Sequence, residues 1–213
     1  MCWYKSCIHV QFETVVIIPF NCRNSVTEDG GQKGIFENIF NATAMNEALL
    51  KEITETFSKL IHVFSKISNA QVDVVPFEGS WTAGQVAEHI VKAVSGMPEL
   101  LNAQVEPANR PYDEQVEGLK KVFLDFNLKM KSPEFIVPTE TQHDQADLLK
   151  TFSRLGKEME DAAINLDLTL LCKAMELPGN GYLTRFEWLS FALVHTQRHI
   201  HQLQKIGEKL KLK

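Results

Sequence analysis

The sequence predicts an all-α fold, a four-helix bundle with a long crossover between its second and third helices. Three observations carry this. Four stretches place apolar residues at alternating three- and four-residue steps, the period of a helix with one buried face. Two of them open on a capping box, Thr82 with Gln85 and Thr184 with Glu187, in which each side chain satisfies a backbone N–H left orphaned at a helix start. The connection over residues 106–141 is too long for a simple up-and-down hairpin and permits helices two and three to run parallel.

The first helix is expected over residues 46–68, with Leu50, Ile53, Phe57, Leu60, Phe64 and Ile67 along its seam. The second starts at Trp81–Thr82 and buries Val86, Ile90, Ala93 and Met97, with Pro98 placed to kink or shorten it. Within the crossover, Val116, Leu119, Phe123 and Phe126 predict a short accessory helix, followed by an extended S-P-E-F-I-V-P segment. A third core helix is expected over residues 144–166, with Leu148, Phe152, Leu155, Met159 and Ala162 inward. The L-P-G-N-G segment then turns the chain into the fourth helix, over residues 184–206, about six turns long.

Residues 1–44 read differently. They carry three of the four cysteines and no helical period, and S-V-T-E-D-G-G-Q-K-G reads as linker. The functional domain is therefore expected over residues 45–213, with 1–44 a poorly ordered extension or a mis-assigned start; a short strand over residues 12–18 is the alternative. The apolar run at residues 15–20 is short and lacks a small-residue cleavage site, which argues against a signal peptide. Cys2, Cys7, Cys22 and Cys172 form no C-x-x-C pair, and a reducing, cytoplasmic compartment is expected. A net charge of -5 argues against nucleic acid or an anionic membrane as partner, since phosphate binding needs clustered Lys and Arg. The basic run at residues 205–213 is explained by the dipole at the end of the last helix.

The candidate chemistry lies on the second and fourth helices. His199 falls on the buried stripe Leu189, Ala192, Thr196, His199, Leu203, Ile206, and His195 lies one turn earlier, so the two rings project to one side. His89 is centred on the buried stripe of the second helix, between Val86 and Ala93, where a histidine needs a reason to be. If these helices are antiparallel neighbours, the three imidazoles come level within a turn. Three nitrogens with a position left open form a catalytic metal arrangement, suited to zinc, nickel or iron(II). Gln85 and Gln202 lie one turn away on the same sides and are expected to back the ligands or orient substrate. Trp81 and Trp188 are expected as core or pocket wall.

Periodicity alone leaves two readings open, a three-histidine metal centre or core histidines satisfied by hydrogen bonds. An H-x-x-x-H pair by itself carries little weight in a chain with seven histidines. His201 points away from His199 and reads as a surface residue; His62 and His143 sit at helix flanks and read as structural. His9 receives no role. Glu187 is explained as a cap, and Cys172 is expected to be inert in a loop.

The segments S-W-T-A-G-Q-V-A-E-H-I and T-R-F-E-W-L-S-F-A-L-V-H-T-Q-R-H-I-H-Q-L resemble the DinB/YfiT-like metalloenzyme family. The resemblance covers approximately residues 45–209. It implies a bundle with a divalent ion on His89, His195 and His199, and places Arg198 where many relatives carry a basic or polar residue. It implies either a thiol S-transferase or isomerase using a low-molecular-weight thiol as co-substrate, or a metal-dependent hydrolase, acting on a small electrophilic molecule. The competing reading is a non-catalytic, metal-binding or dimerising bundle of the damage-associated kind.

Overall fold

The computed structural model describes residues 30–211, with side chains from residue 46 onward. The expectations for residues 1–29, including His9, Cys2, Cys7, Cys22 and the strand at 12–18, lie outside the described residues. The order of elements is α1 (Gly30–Ser65), α2 (Ala83–Val94), α3 (Met97–Asn102), β1 (Val105–Pro107), α4 (Val116–Phe123), a 3-10 turn (Glu134–Ile136), α5 (Gln145–Asn165), β2 (Leu170–Leu177), β3 (Gly181–Thr184) and α6 (Arg185–Lys209). The bundle is built from α1, α2, α5 and α6 within the unit Ile39–Lys213, and the chain between α2 and α5 is the expected long crossover.

Each long helix is held by the residues that announce it. Both capping boxes form: Thr82 accepts from the Gln85 N–H and Thr184 from the Glu187 N–H, with the reciprocal bonds present. Asp144 caps α5 by accepting from the Asp147 N–H. Helix α6 is buried on nearly every side through its first three turns, which makes it the central rod of the bundle. Along α1 the buried stripe is Leu49, Ile53, Phe57, Leu60 and Phe64, continued by Ile67 just beyond the helix; Leu49 takes the place expected of Leu50. Helix α1 also begins at Gly30, upstream of the expected start, so the glycine-rich stretch read as linker is helical from that residue. Where α1 crosses α5, Gly156 lets them touch: a Cβ there would stand 3.0 Å from the Phe57 ring.

Three local expectations are corrected. Met97 is not on helix two, which is shortened rather than kinked. That helix ends at Val94, and Pro98 sits in the first turn of a new helix, α3, where a missing N–H costs nothing. Phe126 is not on the accessory helix, which ends at Phe123; it is exposed and stacks on His201, ring centroids 4.0 Å apart. His201 is therefore half-buried under an aromatic ring rather than a free surface residue.

The third correction is a small antiparallel sheet, order β1-β2-β3. Leu177 to Gly181 does turn the chain, as expected, with Gly179 and Gly181 at φ +86 and +73, conformations that glycine adopts without penalty. The turn closes a β-hairpin, and Val105 pairs with Cys172 to add the third strand. Cys172 thus sits in a strand and is buried. Burial pushes its thiol up to about 11, so it is chemically quiet at neutral pH.

Candidate metal centre

The stripe positions of His89, His195 and His199 bring the three rings into one cluster, each ring less than a tenth exposed. The His195 Nε2 lies 3.2 Å from the His89 Nε2 and 3.2 Å from the His199 Nε2. A tetrahedral ion with metal–nitrogen bonds of about 2.0–2.1 Å spaces its nitrogens about 3.3 Å apart. The separations therefore match two edges of such a coordination sphere, and each residue has a ligand nitrogen within 4.8 Å of the others.

Two of the rings are pinned from behind. His89 Nδ1 lies 2.7 Å from the Ile136 carbonyl, and His199 Nδ1 lies 2.9 Å from Gln202 Oε1. An oxygen there can only accept, so each ring carries its proton on Nδ1 and turns a lone pair on Nε2 toward the centre. His195 differs: its buried Nδ1 has no partner, and Phe191 and Phe123 stand beside its ring at centroid distances of 5.9 and 6.2 Å.

Burial keeps all three rings neutral, the state that binds a cation. His89 is lowered by burial and by Lys92 against the opposing Ile136 carbonyl. His195 is pushed well down by burial, its two histidine neighbours and Arg198. His199 is lowered to about 4 by burial first and His89 second. The unfolded chain takes up a proton on such a ring near 6.5, whereas folded His199 refuses it until about 4. Its neutrality therefore contributes stability above pH 6.5 that is lost as the pH falls toward 4. Metal-free protein should be less stable to urea at pH 5 than at pH 7, by roughly 2 kcal/mol from His199 alone. A stability that stays level across that window would mean the folded rings take up protons as readily as those of the unfolded chain.

The family model for the DinB superfamily matches residues 52–203. The chain belongs to the DinB superfamily. The uncharacterized protein YuaE of Bacillus subtilis (strain 168) is 24% identical over 165 residues, which span 78% of this chain and 96% of YuaE. Among solved structures, YfiT from Bacillus subtilis aligns with a TM-score of 0.53 at 17% identity, over 79% of this chain and 89% of YfiT. That protein is described as a probable metal-dependent hydrolase with an unusual four-helix bundle topology. At this identity the likeness shows the fold.

In this DinB bundle the remaining expected site residues divide. Gln202 backs His199 as expected. Gln85 does not back His89: its Oε1 accepts from the Thr82 N–H, and its Nε2 donates to the Thr139 carbonyl and Glu140. The Ile136 carbonyl has taken the place proposed for it. Trp81 is half-buried with its ring 5.1 Å from that of His89, whereas Trp188 is core, 2% exposed, packed on Phe191. Arg198 stays outside the cluster and donates to the carbonyls of Phe123, Asp125 and Leu128, tying down the crossover. His62 is exposed on α1, and His143 is held between Asp73 and Glu88.

The network around Glu88 is absent from the sequence reading. This carboxylate accepts from Lys92, the Thr139 N–H and hydroxyl, and His143. Burial alone would raise it, but these bonds together lower it to about 2. The i,i+4 spacing of Glu88 and Lys92 was visible in sequence; their partners on the crossover were not. Among the described residues no helix is long and apolar enough to cross a membrane.

Proposed function

We propose that this chain is a metal-dependent enzyme in which His89, His195 and His199 hold one divalent ion and a water or low-molecular-weight thiol attacks a small electrophilic substrate. The observation that supports this best is the approach of three neutral Nε2 atoms, with His195 standing 3.2 Å from each of the other two. An ion bound there supplies Lewis-acid activation, lowering the pKa of a water or thiol toward neutrality. The chain's own groups orient and exclude. Ile136 and Gln202 keep two lone pairs aimed inward, Phe123 and Phe191 shield His195, and the half-buried Trp81 offers an apolar wall beside His89. Hydrolysis is the favoured outcome, because it is the reaction class named for YfiT; thiol transfer would use the same ligands with sulfur as the attacking atom. The acidic balance of the chain favours a small molecule over nucleic acid as its partner.

Elemental analysis of untagged protein should find about one zinc, nickel or iron per chain. At a free ion concentration of 100 Kd the ion stabilises the fold by about 2.7 kcal/mol. Chelation should then lower Tm by about 5–10 °C, and re-addition should restore it. Turnover assays with ester and amide panels, then with thiols plus an electrophile, separate the two outcomes. Protein that carries no ion and melts unchanged after chelation would instead mark a non-catalytic bundle with core histidines.

A further inference from the structure

We infer that Glu88 is a positioning residue for the metal centre, acting through the crossover rather than by touching the ion. The inference rests on the three-histidine reading above. On α2, Glu88 and Lys92 lie one helical turn apart beside the buried His89. All three side chains grip one short piece of the crossover. Lys92 Nζ donates to the Val137 carbonyl at 2.8 Å, Glu88 accepts from the Thr139 N–H at 2.8 Å, and His89 Nδ1 donates to the Ile136 carbonyl at 2.7 Å.

Ile136 and Pro138 are buried while Phe135 and Val137 are exposed, so packing pins alternate residues of this segment. The polar grip fixes the backbone between them, and Glu88 is its centre. The carboxylate binds Lys92 at 2.9 Å and His143 at 3.1 Å, and His143 is fixed on its far side by Asp73 at 2.6 Å. Gly84 makes room for this pair, since a Cβ there would stand 2.5 Å from His143 Nδ1. A carbonyl behind a ligating histidine fixes both the tautomer and the ring orientation. What Glu88 holds is therefore the acceptor that aims His89.

The test is zinc affinity by competition with a chromogenic chelator, on wild type, Glu88→Gln and Gly156→Ala. Glutamine keeps the size of Glu88 but turns a donor toward Lys92 and His143. Glu88→Gln should bind zinc about tenfold more weakly or worse, and its cobalt(II) form should show an altered visible spectrum. Gly156→Ala, which crowds Phe57 away from the centre, should lower Tm yet bind zinc within twofold of wild type. Wild type that binds zinc with folded Glu88→Gln within twofold of it overturns the inference, as does an equal loss in Gly156→Ala. Should circular dichroism show Glu88→Gln unfolded, the same twofold criterion passes to Lys92→Met, whose side chain is partly exposed. Wild type that binds no zinc, nickel or cobalt fails the three-histidine reading itself.

Discussion

Replacing His89 or His199 with alanine is expected to strip the bound ion and abolish turnover. In the proposed centre each ring would supply one of three nitrogen bonds, and among the described residues no other His, Cys or carboxylate cluster could replace it. Removing a group that merely backs a ligating histidine costs ten- to a hundredfold in affinity, so loss of the ligand itself should cost on the order of a hundredfold or more. Elemental analysis and equilibrium dialysis read this directly. His201→Ala is the matched control, because that ring stacks on Phe126 rather than joining the cluster; it should retain the ion. Full metal occupancy in His199→Ala, at free zinc well below saturation, would remove the basis of the proposed chemistry.

The second large effect is expected far from the histidines, at the start of α6. Glu187 is completely buried and accepts from Arg110 at 2.6 and 2.7 Å, from the Gln115 N–H at 2.8 Å and from the Thr184 N–H at 2.9 Å. Its capping role was legible from spacing; its ion pair with the crossover was not. Arg110→Ala leaves the carboxylate buried without its counter-charge, a change that costs about 3–5 kcal/mol. For a chain of this size that lowers Tm by roughly 6–20 °C. Adding Glu187→Gln to Arg110→Ala should recover part of the loss, since a neutral amide is cheaper to bury and can still cap the helix. Thermal melts of the two single variants and the double variant measure the coupling. An Arg110→Ala protein that melts as wild type would show the pair to be energetically idle.

How much of this was readable beforehand follows from what each feature writes into the chain. Side-chain periodicity is local, so the four bundle helices, both capping boxes and the inward placement of His89, His195 and His199 could be read from spacing. Backbone acceptors leave no such mark. Nothing about Ile136 distinguishes its carbonyl from any other, so the group behind His89 was assigned to Gln85, whose amide is consumed by its own cap and by residues 139 and 140. The strand Leu170–Leu177 is rich in Leu, Met, Ala, Lys and Glu and shows no clean alternation, with burial that fades along its length. Its conformation comes from pairing with Val105 and from the glycine turn, and tertiary pairing of this kind overrides residue preference. Pro98 illustrates a near miss: it marked the end of helix two, but two short helices and one kinked helix share the same apolar spacing.

The pairing of Val105 with Cys172 has a consequence for how the molecule comes together. It staples the chain leaving α3 to the chain leaving α5, so the whole crossover and α5 form one large closed loop between them. Such a loop must be drawn shut before the strands reward it, and contacts of this range slow folding relative to a bundle of nearest-neighbour hairpins. Ile136, which backs His89, and Arg110, which pairs with Glu187 at the start of α6, both lie inside that loop. Assembly of the histidine cluster therefore waits on the ring closing, and on the proposed reading an ion would be acquired late in folding.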